Sequence, residues 1–154
     1  MTLGPDIALL TGLRRENLVT LSRKNDTKDG LKVKANKGGK WLLFTWTPEL
    51  RAAIDRGYAL WPKKYPTPID QPIFVAKGRK PFTGDGLWQA FAAAREAAIE
   101  AKELAEPFTL HDIRAKSSSD TESLEAASAR LGHASTATTE RVYRRKPREV
   151  EPLR

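Results

Sequence analysis

His111 and Arg114 stand three residues apart in the run Thr109-Leu110-His111-Asp112-Ile113-Arg114. On a helix that spacing sends both side chains from one face. An imidazole N–H beside the planar donor fork of a guanidinium suits a phosphate oxygen. Leu131-Gly132-His133 reads as a helix stopping at Gly132, with His133 in the turn beyond it. Further along, Tyr143 stands among Arg141, Arg144, Arg145, Lys146 and Arg148. Positive neighbours favour the ionised phenol, a condition for a nucleophilic tyrosine. A single histidine is usually structural, and a single tyrosine in a basic segment usually lies at the surface. Their ordered combination is what points to chemistry on a phosphate.

The elements that must position these groups follow from the apolar pattern. Residues 3–10 read as an apolar helix broken at Gly12, followed by a short amphipathic helix over about residues 16–21. The polar run 22–30 ends in the turn signal Asp29-Gly30. Two strand-like runs, 31–35 and 40–46, flank Asn36-Lys37-Gly38-Gly39, a β-hairpin tip that gathers Lys34, Lys37 and Lys40. Pro48 opens a helix to about residue 60, with Leu50, Ile54 and Tyr58 at core spacing. A Pro-rich stretch, 61–72, reads as an extended connector, and 73–76 as a short strand. Residues 77–80, Lys-Gly-Arg-Lys, form a basic loop suited to a DNA backbone. An Ala-rich helix is expected over 86–104, a helix capped by Thr109 carries His111 and Arg114, and two more span about 121–131 and 136–145. The fold expected is α+β, mainly helical, with one small antiparallel sheet near residues 31–46 and the Lys37 turn exposed. Residues 1–146 form the domain and 147–154 a polar tail.

Composition narrows the partners. The 154 residues carry 27 Lys and Arg against 19 Asp and Glu, a formal charge of +8. That excess favours a polyanion, nucleic acid before an acidic membrane surface. No apolar run reaches the length of a membrane span, and no signal-peptide pattern opens the chain. The absence of Cys removes disulfide and zinc-thiolate chemistry and agrees with a cytoplasmic protein. Two separated histidines without a carboxylate cluster do not make a transition-metal site. Neither a phosphate-cradling Gly-Lys-Ser/Thr loop nor a dinucleotide fingerprint is present.

Taken in order, Thr11-Gly12-Leu13-Arg14, the hairpin Lys37, His111-x-x-Arg114, Leu131-Gly132-His133 and Tyr143 resemble the catalytic domain of tyrosine recombinases, the phage-integrase family. The resemblance covers nearly the whole chain. It implies that Arg14, Lys37, His111, Arg114 and His133 form an active site and that Tyr143 is the nucleophile. It further implies cleavage and rejoining of double-stranded DNA through a 3′-phosphotyrosyl intermediate, with no metal, no ATP and no other cofactor. A homo-oligomer assembled on DNA through the C-terminal tail would fit the same pattern. In that scheme two Arg forks and a His donor stabilise charge growing on the non-bridging oxygens, and Lys37 protonates the departing 5′-oxygen.

Three departures accompany the resemblance. Family members carry Glu or Asp three residues after the first Arg, where this chain has Asn17 with Glu16 beside it. The spacing from His133 to Tyr143 is one residue longer than the commonest in the family. The chain begins just before Thr-Gly-Leu-Arg, which implies truncation: the family's amino-terminal DNA-binding domain and the opening helices of its catalytic domain would be missing, as in a prophage remnant. The leading expectation is a phage-type integrase catalytic domain. The alternative is a catalytically weak or inactive DNA-binding remnant, and a basic structural protein is a distant third.

Overall fold

Gly4, Ile7, Ala8 and Thr11 fall on one face of α1 (Leu3–Thr11), which packs against α3 (Pro48–Ala59) and α5 (Leu110–Ser119). The computed structural model describes residues 3–35, 39–133 and 135–142. Lys37, Tyr143 and the expected tail 147–154 lie outside the described residues. A short α2 (Arg15–Val19) follows α1, and its Leu18 joins Ile7, Leu21, Leu31, Ile54 and Ile73 in a fully buried core. Each such aliphatic side chain contributes roughly 1.5–3 kcal/mol by leaving water.

The sheet is antiparallel and three-stranded, in the order β1 (Asp26–Thr27), β2 (Gly30–Lys34), β3 (Trp41–Thr45). Leu31 pairs with Phe44 and Val33 with Leu42, so β2 turns Leu31 and Val33 to the core and Lys32 and Lys34 to solvent. β1 is an addition to the expected hairpin. Its two residues are polar and show no alternation, and they are fixed instead by a Ser22–Asn25 capping box and by Thr27 Oγ1 donating to the Gly30 carbonyl at 2.7 Å. The strand expected over residues 73–76 does not form. Only the isolated pairs Ser22–Pro72 and Val75–Pro81 bridge there, because each includes a proline with no N–H to extend a ladder.

Thr47 caps α3 by accepting from the Leu50 N–H at 3.2 Å, and Pro48 occupies its first turn. Thr83 caps α4 (Gly84–Glu100) by accepting from the Gly86 N–H at 3.0 Å, which starts that helix two residues before the expected Gly86. The helix stops short of Leu104, since Lys102 takes a left-handed backbone with φ 59°. Leu87 and Phe91 are its buried positions, Phe91 meeting Phe108 edge-on with centroids 5.6 Å apart. The chain closes with α6 (Leu124–Leu131) and α7 (Thr136–Val142). Among the described residues no helix is long and apolar enough to cross a membrane.

Candidate phosphate-binding site

Two glycine turns frame the site. Gly12 ends α1 with φ 66°, and a side chain there would strike Leu131 at 2.8 Å, so both conformation and space require glycine. Gly132 ends α6 in the same left-handed region, φ 67°, and turns the chain so that His133 reaches Arg14 at the start of α2. Past the first turn, Arg14 sits at the N-cap of α2 in extended backbone and makes no side-chain cap. Arg lacks the acceptor that a cap requires, and its guanidinium instead reaches the site.

α5 is built from the other side. Thr109 and Asp112 form a reciprocal capping box: Thr109 N–H and Oγ1–H donate to Asp112 Oδ2 at 2.9 and 2.7 Å, and Asp112 N–H donates to Thr109 Oγ1 at 3.1 Å. This fixes the start of the helix and the direction in which His111 and Arg114 leave it. Arg114 is buried, 4% exposed. Its Nη1 donates to the Gly12 carbonyl and its Nη2 to the Leu131 carbonyl at 2.9 Å. One guanidinium thereby ties together the turn that carries Arg14 and the helix end that carries His133.

Arg14 Nη2 and Arg114 Nη2 each stand 3.3 Å from His133 Nε2. Guanidinium nitrogens only donate, so Nε2 accepts and the ring proton sits on Nδ1, which donates to Thr139 Oγ1 at 2.7 Å. Thr139 is fully buried on α7. His133, expected as one more donor toward the anion, meets the two arginines through Nε2 and Thr139 through Nδ1. Arg14, His111 and Arg114 line one open pocket of about 470 Å³, together with Glu16, Trp88 and Thr109.

The rim carries one anion. Glu16 is held below its ordinary carboxylate range chiefly by its own backbone N–H at the start of α2, with Arg15 and Arg14 adding to this and burial opposing it. Arg15 is shared between Glu16, at 3.0 Å, and Asp85 of α4, at 3.3 Å. Arg14 and Arg114 are the guanidiniums that meet at His133 and line the pocket. Asn17 is buried and donates through Nδ2 to the Lys34 carbonyl at 2.9 Å, pinning α2 to the end of β2. An ionised carboxylate at this position could not make that bond. Of the six residues expected to act together, the structure brings Arg14, His111, Arg114 and His133 to one place. Sequence reasoning missed Thr139, Trp88 and Glu16 as parts of it, and only Glu16, next to Asn17, carried any signal.

No family model matches the chain, and no curated protein does. Solved structures do. A lambda integrase dimer bound to a core site superposes with a TM-score of 0.71 over 99% of this chain and 54% of its own, at 19% identity. A XerA recombinase gives 0.72 over 91% and 51%, at 22% identity. The lambda integrase catalytic core gives 0.65 over 85% and 78%, at 20% identity. The chain thus spans about half the length of the first two proteins it matches. The chain has the fold of the tyrosine recombinase, or phage-integrase, catalytic domain.

Proposed function

We propose that this chain is the catalytic domain of a phage-type tyrosine recombinase, which cleaves and rejoins double-stranded DNA. The observation that carries the reading is the convergence of Arg14 and Arg114 on one nitrogen of His133, beside His111, in an open pocket. Two guanidiniums meet at one nitrogen of His133, and guanidinium forks suit a phosphodiester, the anion that DNA supplies.

In the proposed reaction the phenol oxygen of Tyr143 attacks the phosphorus and the bond to the 5′-oxygen breaks. The DNA 3′-phosphate is left covalently on the tyrosine. The phenol proton leaves to a base, for which His111 at the pocket rim is our candidate, and Lys37 delivers a proton to the 5′-oxygen. Arg14 and Arg114 are worth more in the transition state than before it, because charge gathers on the oxygens they face. Religation reverses these steps, the phosphotyrosine having kept the bond energy. Lys37 and Tyr143 take their roles from the resemblance in sequence, and the other four also from their arrangement.

The test is a nicked duplex whose cleaved end diffuses away and traps the adduct. The wild-type chain should form a covalent complex and Tyr143→Phe should form none while binding DNA almost as well. Equal adduct from both would overturn the nucleophile. The second reading, a DNA-binding remnant that no longer cleaves, is favoured by Asn17, which puts an uncharged amide where the family carries an acid. DNA binding without any wild-type adduct would select it.

A further inference from the structure

We propose that residues 63–65 and 77–80 form a second, preformed contact for the DNA backbone, gripping the duplex a few base pairs from the phosphate held by Arg14 and Arg114. This inference deepens the recombinase reading and rests on it for the identity of the partner.

Two segments distant in sequence are locked together here. The Pro-rich stretch is folded where an extended connector was expected: Tyr65 N–H donates to the Pro62 carbonyl at 3.0 Å and Trp61 Nε1 to the Pro66 carbonyl at 3.2 Å. The second segment is a closed turn, with Ala76 N–H donating to the Lys80 carbonyl at 2.8 Å and Arg79 N–H to the Ala76 carbonyl at 3.2 Å. The half-buried Tyr65 ring joins them. The Arg79 guanidinium lies 3.9 Å from its centroid and Lys64 Nζ 5.1 Å.

Arg79 occupies left-handed backbone at φ 65°, a conformation that costs a residue with a side chain on the order of 1–3 kcal/mol. Glycine, which stands next to it in the turn, would avoid that cost. The strained position instead carries a guanidinium fixed by an aromatic face. Around it Lys63, Lys64, Lys77 and Lys80 are exposed, and none of these five cations forms an ion pair with a described carboxylate. Elsewhere the arginines Arg15, Arg51 and Arg56 all have acids at 3.3 Å or less. A rigid group of unbalanced cations with a tyrosine among them fits a repeating anion.

Position decides which anion. The turn runs directly into the first turn of α4, where Asp85 meets Arg15 beside the candidate site. Asp85 is five positions past Lys80, a reach of at most about 18 Å. On a duplex with one base step per 3.4 Å, that spans roughly five base pairs. One DNA molecule can therefore occupy the pocket and this patch together.

The experiment uses the full chain and a duplex of about 30 base pairs, following affinity against salt; each lost phosphate contact lowers the slope of log K on log salt by about 0.9. Replacing Lys63, Lys64, Lys77 and Lys80 by Gln should reduce the slope by about 3.6 and weaken binding roughly 10- to 100-fold at moderate salt. Because these side chains are exposed, the helical circular dichroism should be unchanged. Arg79→Gly, which relieves the strained backbone, should lower the slope by about one without loss of melting temperature. Slopes equal to wild type in both variants would overturn the proposal, as would a wild-type chain that binds no duplex. A loss confined to vesicles of anionic lipid would also overturn it. Adduct formation at saturating nicked duplex should stay within about twofold of wild type, since no catalytic group is altered. No adduct in either chain, with the slope difference intact, retires the strand-cleavage reading and keeps the patch. Adduct with equal slopes does the reverse.

Discussion

Arg14 and Arg114 bring the same group to His133 from different surroundings, and substitution should separate them. Arg114 is buried and spends its donors on the Gly12 and Leu131 carbonyls. Arg114→Ala strands both carbonyls and should cost about 3 kcal/mol in chemical denaturation, besides abolishing adduct. Arg14 is half-exposed and makes no cap, so Arg14→Ala should change stability by less than about 1 kcal/mol yet slow adduct formation at least ~100-fold. Thr139 acts at one remove. By accepting from Nδ1 it keeps the His133 lone pair on Nε2, facing the arginines. Thr139→Val should slow the adduct roughly 10-fold with little change in DNA affinity, and Thr139→Ser should restore it, since only the hydroxyl is required. Failure of Ser to rescue would reduce Thr139 to packing. The His111–Arg114 pair was legible from helix spacing, whereas Arg14 was legible only through family resemblance. Thr139 left no trace, because a threonine six residues past a histidine becomes its partner only once a turn folds one onto the other.

The elements are held in register by polar knots as much as by the core. Asp26 of β1 accepts from both Arg51, at 3.0 Å through each oxygen, and the Tyr58 hydroxyl at 3.1 Å, so one carboxylate joins the sheet to α3. Arg51 also covers Trp46 at 4.4 Å, and Trp46 Nε1 donates to the Thr27 carbonyl at 2.8 Å. Burial first, and then the charge of Asp26, pushes the Tyr58 phenol from its ordinary 10.0 up to about 12. An acid whose folded value is raised holds its proton more tightly in the native state. Its stabilising effect is complete below the unfolded value and fades as pH rises toward about 12. Stability should therefore fall over that alkaline window. Phenolate absorbance should show one tyrosine titrating late, and Asp26→Asn should move that step back toward its ordinary value. A late step unchanged in Asp26→Asn would leave burial as the whole cause. The β2–β3 hairpin and the long helices could be read from alternation and caps. β1 could not, since two polar residues become a strand only when Gly30 and Leu31 are there to pair with them.

At the scale of the molecule, net charge of +8 suggested a polyanion but not where it binds. Charge counts for binding only within about a Debye length of the phosphates, about 10 Å at 0.1 M salt. Two residues make this testable within one chain, because Arg79 and Lys102 are the only described non-glycine residues with positive φ. Both are exposed and cationic, and both become less strained as glycine. Arg79 lies in the turn leading toward α4, whose first turn carries Asp85 against Arg15 of the pocket. Lys102 lies just past the other end of that helix, whose seventeen residues put about 25 Å between the two ends. Lys102→Gly and Arg79→Gly remove the same charge and the same kind of strain, so each should leave stability equal or raised by up to about 1 kcal/mol. Their effects on DNA should differ. Lys102→Gly should leave affinity at 0.1 M salt unchanged within about twofold, because its charge is screened from a duplex seated at the far end of α4. Arg79→Gly should weaken binding severalfold and lower the salt slope by about one. Equal losses from the two would mean that the chain attracts DNA by its overall charge, and that the pocket and the turn do not jointly define where the duplex lies.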